Sequence, residues 1–232
     1  MIVYGRNPVR EAFRGRRAVL RLWASSPTAD PGWPIDPEPA GDEELERLCG
    51  SPGHQGVCAE AEAYPYADAA SLLEAEDALV VALDQVQDPH NLGAVCRVAE
   101  SAGAAGVVIP ERRSAEVTPA VCKASAGAIE HLSVARVRNL ADWLGDAKEA
   151  GAWAYAADAD ADVAYDAPDY RGRVVLVLGS EGEGLRPRVA GSCDERIALP
   201  RRGKVASLNV STAAAALLYG ILQRRAALDR AP

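Results

Sequence analysis

Three short polar stretches carry the residue types that could do chemistry. The first is Asp84-Gln85-Val86-Gln87-Asp88-Pro89-His90-Asn91-Leu92-Gly93, with Arg97 close behind. The second is Gly179-Ser180-Glu181-Gly182-Glu183-Gly184-Leu185. The third is Pro200-Arg201-Arg202-Gly203-Lys204-Val205-Ala206-Ser207-Leu208-Asn209. Amides, hydroxyls and a carboxylate are the groups that orient a substrate, and an arginine can hold a developing oxyanion or a phosphate. Several other chemistries are excluded. The glycines at 179, 182 and 184 do not form the dinucleotide fingerprint ahead of a first helix. Gly203-Lys204 is followed by Val205 rather than Ser or Thr, so it is not a phosphate-binding P-loop. Asp158, Asp160 and Asp162 resemble part of a calcium loop, but Val163 stands where its glycine must be and Asp169 where its bidentate Glu must be. Cys49, His54 and Cys58 lack a fourth zinc ligand, and the histidines at 54, 90 and 131 belong to no nucleophile turn. No metal is expected.

Each stretch leaves the end of an apolar run. Residues 78–83 and 174–178 are continuous apolar runs, as in buried parallel strands, and Arg196-Ile197-Ala198-Leu199 reads as another strand. Helices are expected over 92–102, 140–150 and 209–228, and another within 117–130. Further strands are expected at 106–109, 133–137 and 152–157. Alternating strands and helices imply an α/β fold: a mostly parallel sheet with helices on both faces. Ligands of such sheets sit beyond the carboxyl ends of the strands, where the three stretches fall.

The front of the chain reads differently. Asn7-Pro8 opens a helix with Val9, Ala12 and Phe13 on its apolar face, and 19–23 is a strand. Residues 26–41 are proline-rich loop, followed by a short helix over 43–49 and a strand at 56–59. The expected organisation is a small domain over 1–63, an acidic linker over 64–77 and a large domain over 78–232. Net charge is −8, which argues against a nucleic-acid partner on average. Locally, residues 1–25 hold six arginines against the single acid Glu11. That basic end could bind phosphate or be a solvated helix end. The five cysteines form no CxxC pair, no run of eighteen apolar residues occurs, and the opening residues lack a signal-peptide core. A cytoplasmic protein that does not enter a membrane is expected.

Asn91 to Arg97, Val177 to Leu185, and Ile197 to Leu199 with Ser207 to Ser211 resemble the three ordered motifs of the SpoU/TrmH RNA ribose methyltransferases. The likeness spans about residues 78–225. Tyr4-Gly5-Arg6-Asn7-Pro8-Val9 and His54-Gln55-Gly56-Val57 extend it to the subgroup that methylates a guanosine of large-subunit ribosomal RNA. The resemblance implies a C-terminal trefoil knot, a homodimer, and S-adenosylmethionine as cofactor. Its binding would fall to Gly179, Leu199 and Leu208, with Leu178, Ser180, Gly182 and Ile197 nearby. It implies catalytic or positioning roles for Asn91, Arg97, Glu181, Ser207 and Asn209. Arg97 would activate the ribose hydroxyl or, since arginine stays protonated, stabilise the developing alkoxide or orient a phosphate. RNA contacts are expected from Arg6, Arg14, Arg16, Arg17, Arg201, Arg202 and Lys204. From the residues alone, Asn91 and Asn209 could equally be helix caps. Rival readings are a transfer-RNA or antibiotic-resistance substrate, a non-catalytic RNA-binding protein, and a dinucleotide enzyme, the last disfavoured by the missing fingerprint.

Overall fold

The computed structural model describes residues 1–25, 32–204 and 207–230. Two sheets organise them. The front sheet is built from β1 (Ile2–Tyr4), β2 (Val19–Ala24), β3 (Glu38–Pro39) and β4 (Val57–Ala61), in the order β1-β4-β2-β3. Here β4 lies antiparallel to β1 and β2, while β3 runs parallel to β2. Helix α1 (Arg6–Arg14) packs on it through Pro8, Val9 and Ala12, with Pro8 in the first turn where a missing N–H costs nothing. Helix α2 (Asp42–Cys49) buries Leu45 and ends at Gly50 in the left-handed conformation.

The second sheet has seven strands: β5 (Leu79–Asp84), β6 (Gly106–Pro110), β7 (Val134–Val137), β8 (Trp153–Ala157), β9 (Val163–Ala164), β10 (Val174–Gly179) and β11 (Glu195–Ala198). Their order is β7-β6-β5-β10-β8-β11-β9, and every pairing is parallel. Alternation along the strands sends side chains to opposite faces. Leu79, Val81 and Leu83 join one cluster with residues of α3 (Pro89–Ser101), α4 (Pro119–Ala124) and α7 (Val210–Leu228). Val80 and Ala82 join another with α5 (Leu140–Glu149) and with Val189 of α6 (Pro187–Ser192). Both faces are therefore covered, which is why β5 and β10 read as unbroken apolar runs. Gly93 lets α3 lie close on α4, since a Cβ there would stand 2.5 Å from the Cβ of Ala124.

The expected elements differ from the observed ones in a few places. The segment 117–130 is divided: α4 stops at Ala124, Ala126 and Gly127 have positive φ, and a 3₁₀ turn follows over Ala128–Glu130. Strands β3 and β9, of two residues each, and the six-residue α6 are too short to show a periodicity. The acidic stretch 64–77 packs on the large sheet through its few apolar residues. Tyr64 donates to the carbonyl of Leu132 at 2.7 Å, Ala67 pairs with Ala135, and Leu72 and Leu73 are buried.

Candidate active site

The register places Gly179, the end of β10, beside Asp84, the end of β5. The first two polar stretches thus leave adjacent strands. Asp84 is fully buried and accepts from the backbone N–H of Arg186 at 2.9 Å and from its Nε at 2.8 Å. This carboxylate ties the far end of the glycine-rich loop back to β5. Within the loop, Ser180 and Gly184 exchange backbone hydrogen bonds at 3.2 and 3.0 Å. Gly182 and Gly184 take φ of +86° and +67°. Gly179 is forced by close approach, because a Cβ there would lie 2.2 Å from the carbonyl carbon of Gly184. The result is a tight closed turn that carries Glu181 on its exposed side.

The third stretch meets the other two through Asn209. Its Oδ1 caps α7, accepting from the N–H of Ser211 at 2.9 Å and of Thr212 at 3.3 Å. Its Nδ2 donates to Oδ1 of Asn91 at 2.9 Å and also to Oε1 of Glu181. Asn91 Nδ2 donates to the same Glu181 oxygen at 3.2 Å. The capping reading therefore holds for Asn209 but not for Asn91. Helix α3 is capped by Asp88, which accepts from the N–H of His90 at 2.9 Å. Asn91, Glu181 and Asn209, well separated in sequence, form one connected group. Arg97 lies about one and two-thirds turns further along α3, about 9 Å of rise from Asn91. Its side chain is exposed and makes no hydrogen bond or ion pair with another described residue. Ser207 and Leu208 are exposed at the entrance to α7, and Val205 and Ala206 lie outside the described residues.

The residues expected at a cofactor fall into two kinds. Leu178 and Ile197 turn their side chains into the core, so only their backbone can face a ligand. Gly179, Ser180, Gly182, Leu199 and Leu208 line or approach the carboxyl edge, and Leu208 exposes 54% of its surface. A cavity of about 480 Å³ opens beside Leu199, walled by Ala164, Tyr165, Ala198, Pro200 and Arg201. A larger one, about 770 Å³, lies between α5 and residues 67–73 and includes none of the expected site residues. Among the described residues no group of three His, Cys, Asp or Glu side chains is placed to hold a metal, and no helix is long and apolar enough to cross a membrane.

One expected RNA contact requires correction. Arg17 is buried, with Nε and Nη2 on the two Glu130 carboxylate oxygens at 2.9 and 2.6 Å and Nη1 on the Glu62 carbonyl at 2.9 Å. Burial disfavours its charge, and Glu130 more than compensates, holding its pKa above the ordinary value. Arg17 joins the front sheet to the large one and does not face RNA. Composition could not distinguish it from its neighbours, because the acid that claims it lies over a hundred residues away in sequence. The others lie on the surface. Arg6, Arg202 and Lys204 are exposed, Arg14 pairs with Glu11 at 2.9 Å, Arg16 reaches Ser133 at 3.2 Å and Arg201 pairs with Asp160 at 2.6 Å. Sequence reasoning missed the Asp84–Arg186 clamp. Its only trace was an acid closing an apolar run.

Fold and site together define an α/β protein with a built polar site at adjoining strand exits. Comparison with known proteins sharpens this. The SpoU rRNA Methylase family matches residues 78–219, well over half of the chain. A Bacillus subtilis (strain 168) protein assigned to the TrmH family of tRNA/rRNA methyltransferases, YacO, is 39% identical over 240 residues, covering 96% of this chain and 95% of that one. The SpoU methyltransferase AviRb of Streptomyces viridochromogenes superposes with a TM-score of 0.83 at 25% identity, over 98% of this chain and 90% of that one. Its complex with the cofactor AdoMet superposes at 0.81. The chain belongs to the SpoU rRNA methylase family and is a methyltransferase of the SpoU/TrmH type.

Proposed function

We propose that the chain methylates a ribose 2′-hydroxyl of RNA, a guanosine of large-subunit ribosomal RNA, using S-adenosylmethionine, as a cytoplasmic homodimer with a knotted C-terminal path. The observation that carries the reading is the Asn91–Glu181–Asn209 group, which joins three strand exits at the place where a parallel sheet takes its ligands. The residues fit the cofactor. Gly182 and Gly184 leave the outer side of the closed turn open to close approach, and the cavity at Leu199 offers an aliphatic and aromatic wall for an adenine. When bound, the sulfonium supplies an activated methyl group, leaving the protein to orient it and to help the hydroxyl lose its proton. Glu181, held by two amides, fixes the turn. Ser207 and Asn209 hold the opposite wall. The Arg97 guanidinium stabilises negative charge developing on the ribose oxygen, while solvent water takes the proton.

The test is calorimetry with S-adenosylmethionine, followed by incubation of ribosomal RNA with tritiated cofactor and mapping of the labelled nucleotide. The expected result is cofactor binding and label on one guanosine ribose. Arg97→Ala should keep cofactor binding and lose about 100-fold or more in labelling rate. Absence of binding at millimolar cofactor would overturn the reading. Label on transfer RNA alone would replace the substrate and keep the chemistry.

A further inference from the structure

The carboxyl edge continues beyond β5, across β6 and β7, and two exits there carry arginines that the motifs do not include. After β6 come Glu111, Arg112, Arg113 and Ser114, and after β7 come Arg138 and Asn139. The loops are fastened to one another and to the site. Glu111 donates its N–H to Val137 at 2.9 Å, joining the β6 and β7 exits. Ala115 donates its N–H to Val86 at 2.9 Å, with the Ser114 hydroxyl on the same carbonyl at 3.4 Å, joining the β6 exit to the loop that leads to Asn91. Both joined loops hold a non-glycine residue in the left-handed region, Gln85 at φ +58° and Arg113 at φ +57°. Strain of this kind persists where surrounding structure enforces it, and it gathers at functional loops.

Arg112, Arg113 and Arg138 are exposed and form no ion pair or hydrogen bond with described residues. Of the acids nearby, Glu116 pairs with Arg136 at 3.0 Å and Asp142 with Arg188 at 2.5 Å, while Asp68 and Asp146 line the cavity that Arg138 borders. Glu111 and Glu116 are both exposed in the loop after β6, and Glu111 has no side-chain partner among the described residues. With strands about 4.8 Å apart, the β7 exit lies about 10 Å from the β5 exit. The three guanidinium groups therefore follow the edge outward from the Asn91 group, on the side away from Arg201, Arg202 and Lys204. A chain of net charge −8 can hold a polyanion only through such a local cationic line.

We propose that Arg112, Arg113 and Arg138 bind backbone phosphates of the RNA strand flanking the reacting ribose. The proposal rests on the RNA-methyltransferase reading above. It is tested by filter binding of the full chain to deproteinised large-subunit ribosomal RNA across a sodium chloride series, with cofactor calorimetry in parallel. Arg112→Ala/Arg113→Ala should weaken RNA binding about tenfold or more at 0.1 M salt. It should also reduce the salt slope by roughly 0.7–0.9 per lost phosphate contact, with cofactor affinity and melting temperature unchanged. Arg112→Lys/Arg113→Lys should recover most of the affinity, because phosphate contact needs charge more than geometry. Arg113→Asn, which suits the left-handed backbone, should melt no lower than wild type and still bind RNA more weakly. Unchanged affinity and slope in the double alanine variant, with wild type binding RNA, would remove this proposal alone. Wild type that binds cofactor but no RNA would remove it together with the RNA substrate. Wild type that binds RNA but no cofactor would remove the methyltransferase reading, and the variants would still decide the edge.

Discussion

In the front region several arginines are taken up by partners within the molecule. Arg17 is buried against Glu130, Arg14 sits on Glu11, and Arg21 makes two hydrogen bonds to Glu38 while stacking on Trp23. Along the carboxyl edge of the large sheet, Arg112, Arg113 and Arg138 are exposed without partners among the described residues. Composition points the other way, since residues 1–25 form the most visibly basic stretch while the edge arginines are scattered among acids. The contrast teaches that a local charge count predicts a polyanion surface only where the fold leaves the charges unclaimed. A buried arginine holds two units together. An exposed one fixed on a hydrogen-bonded loop is available to a ligand.

Substitutions test that contrast, beginning with the largest effect. Arg17→Ala should destabilise the protein by about 3–5 kcal/mol in urea unfolding, because it leaves Glu130 charged and buried without a partner. A loss below 1 kcal/mol would show that the front unit does not depend on this contact. Arg14→Ala, which removes an exposed pair, should change stability by less than about 1 kcal/mol. At the site, Gly179→Ala should lower methylation about 100-fold and cost about 1–3 kcal/mol of stability, since the added methyl displaces the Gly184 backbone and the turn bearing Glu181. Full activity in that variant would remove the closed turn from the reaction. The smallest effect concerns thiol reactivity. Hydrogen bonding with Cys58 and the nearby Lys123 ammonium hold the Cys49 thiol below its ordinary pKa, while burial pushes Cys122 up to about 11. A low folded-state pKa means more thiolate near neutral pH, so iodoacetamide at pH 7.5 should label Cys49 first. Mass spectrometry that finds Cys122 labelled earlier would contradict this arrangement.

Much of the site could be read before the fold was known. Asn91, Glu181 and Asn209 were placed by three ordered motifs, and each lies at the exit of a strand that its apolar run announced. What the motifs could not state was how these side chains meet. Asn209 both caps α7 and bridges Asn91 to Glu181, a double role that depends on where β10 is inserted between β5 and β8. Asp84 looked like the end of a strand and proves to be the buried anchor for Arg186. Leu178 and Ile197 could be placed at the site, but the direction of their side chains depends on which sheet face each position meets.

The amino-acid sequence by itself determined the α/β class, most of the strands and helices, and the residues of the polar group. These depend on local patterns: apolar runs long enough for buried strands, helical spacing, and turn residues at strand exits. Tertiary structure alone decided strand order, the burial of Arg17, the Asp84–Arg186 clamp and the alignment of Arg112, Arg113 and Arg138 along one edge. Each of these depends on contacts between residues far apart in the chain. Such contacts form only when parallel strands bring their carboxyl ends together, and no local pattern records which ends will be neighbours.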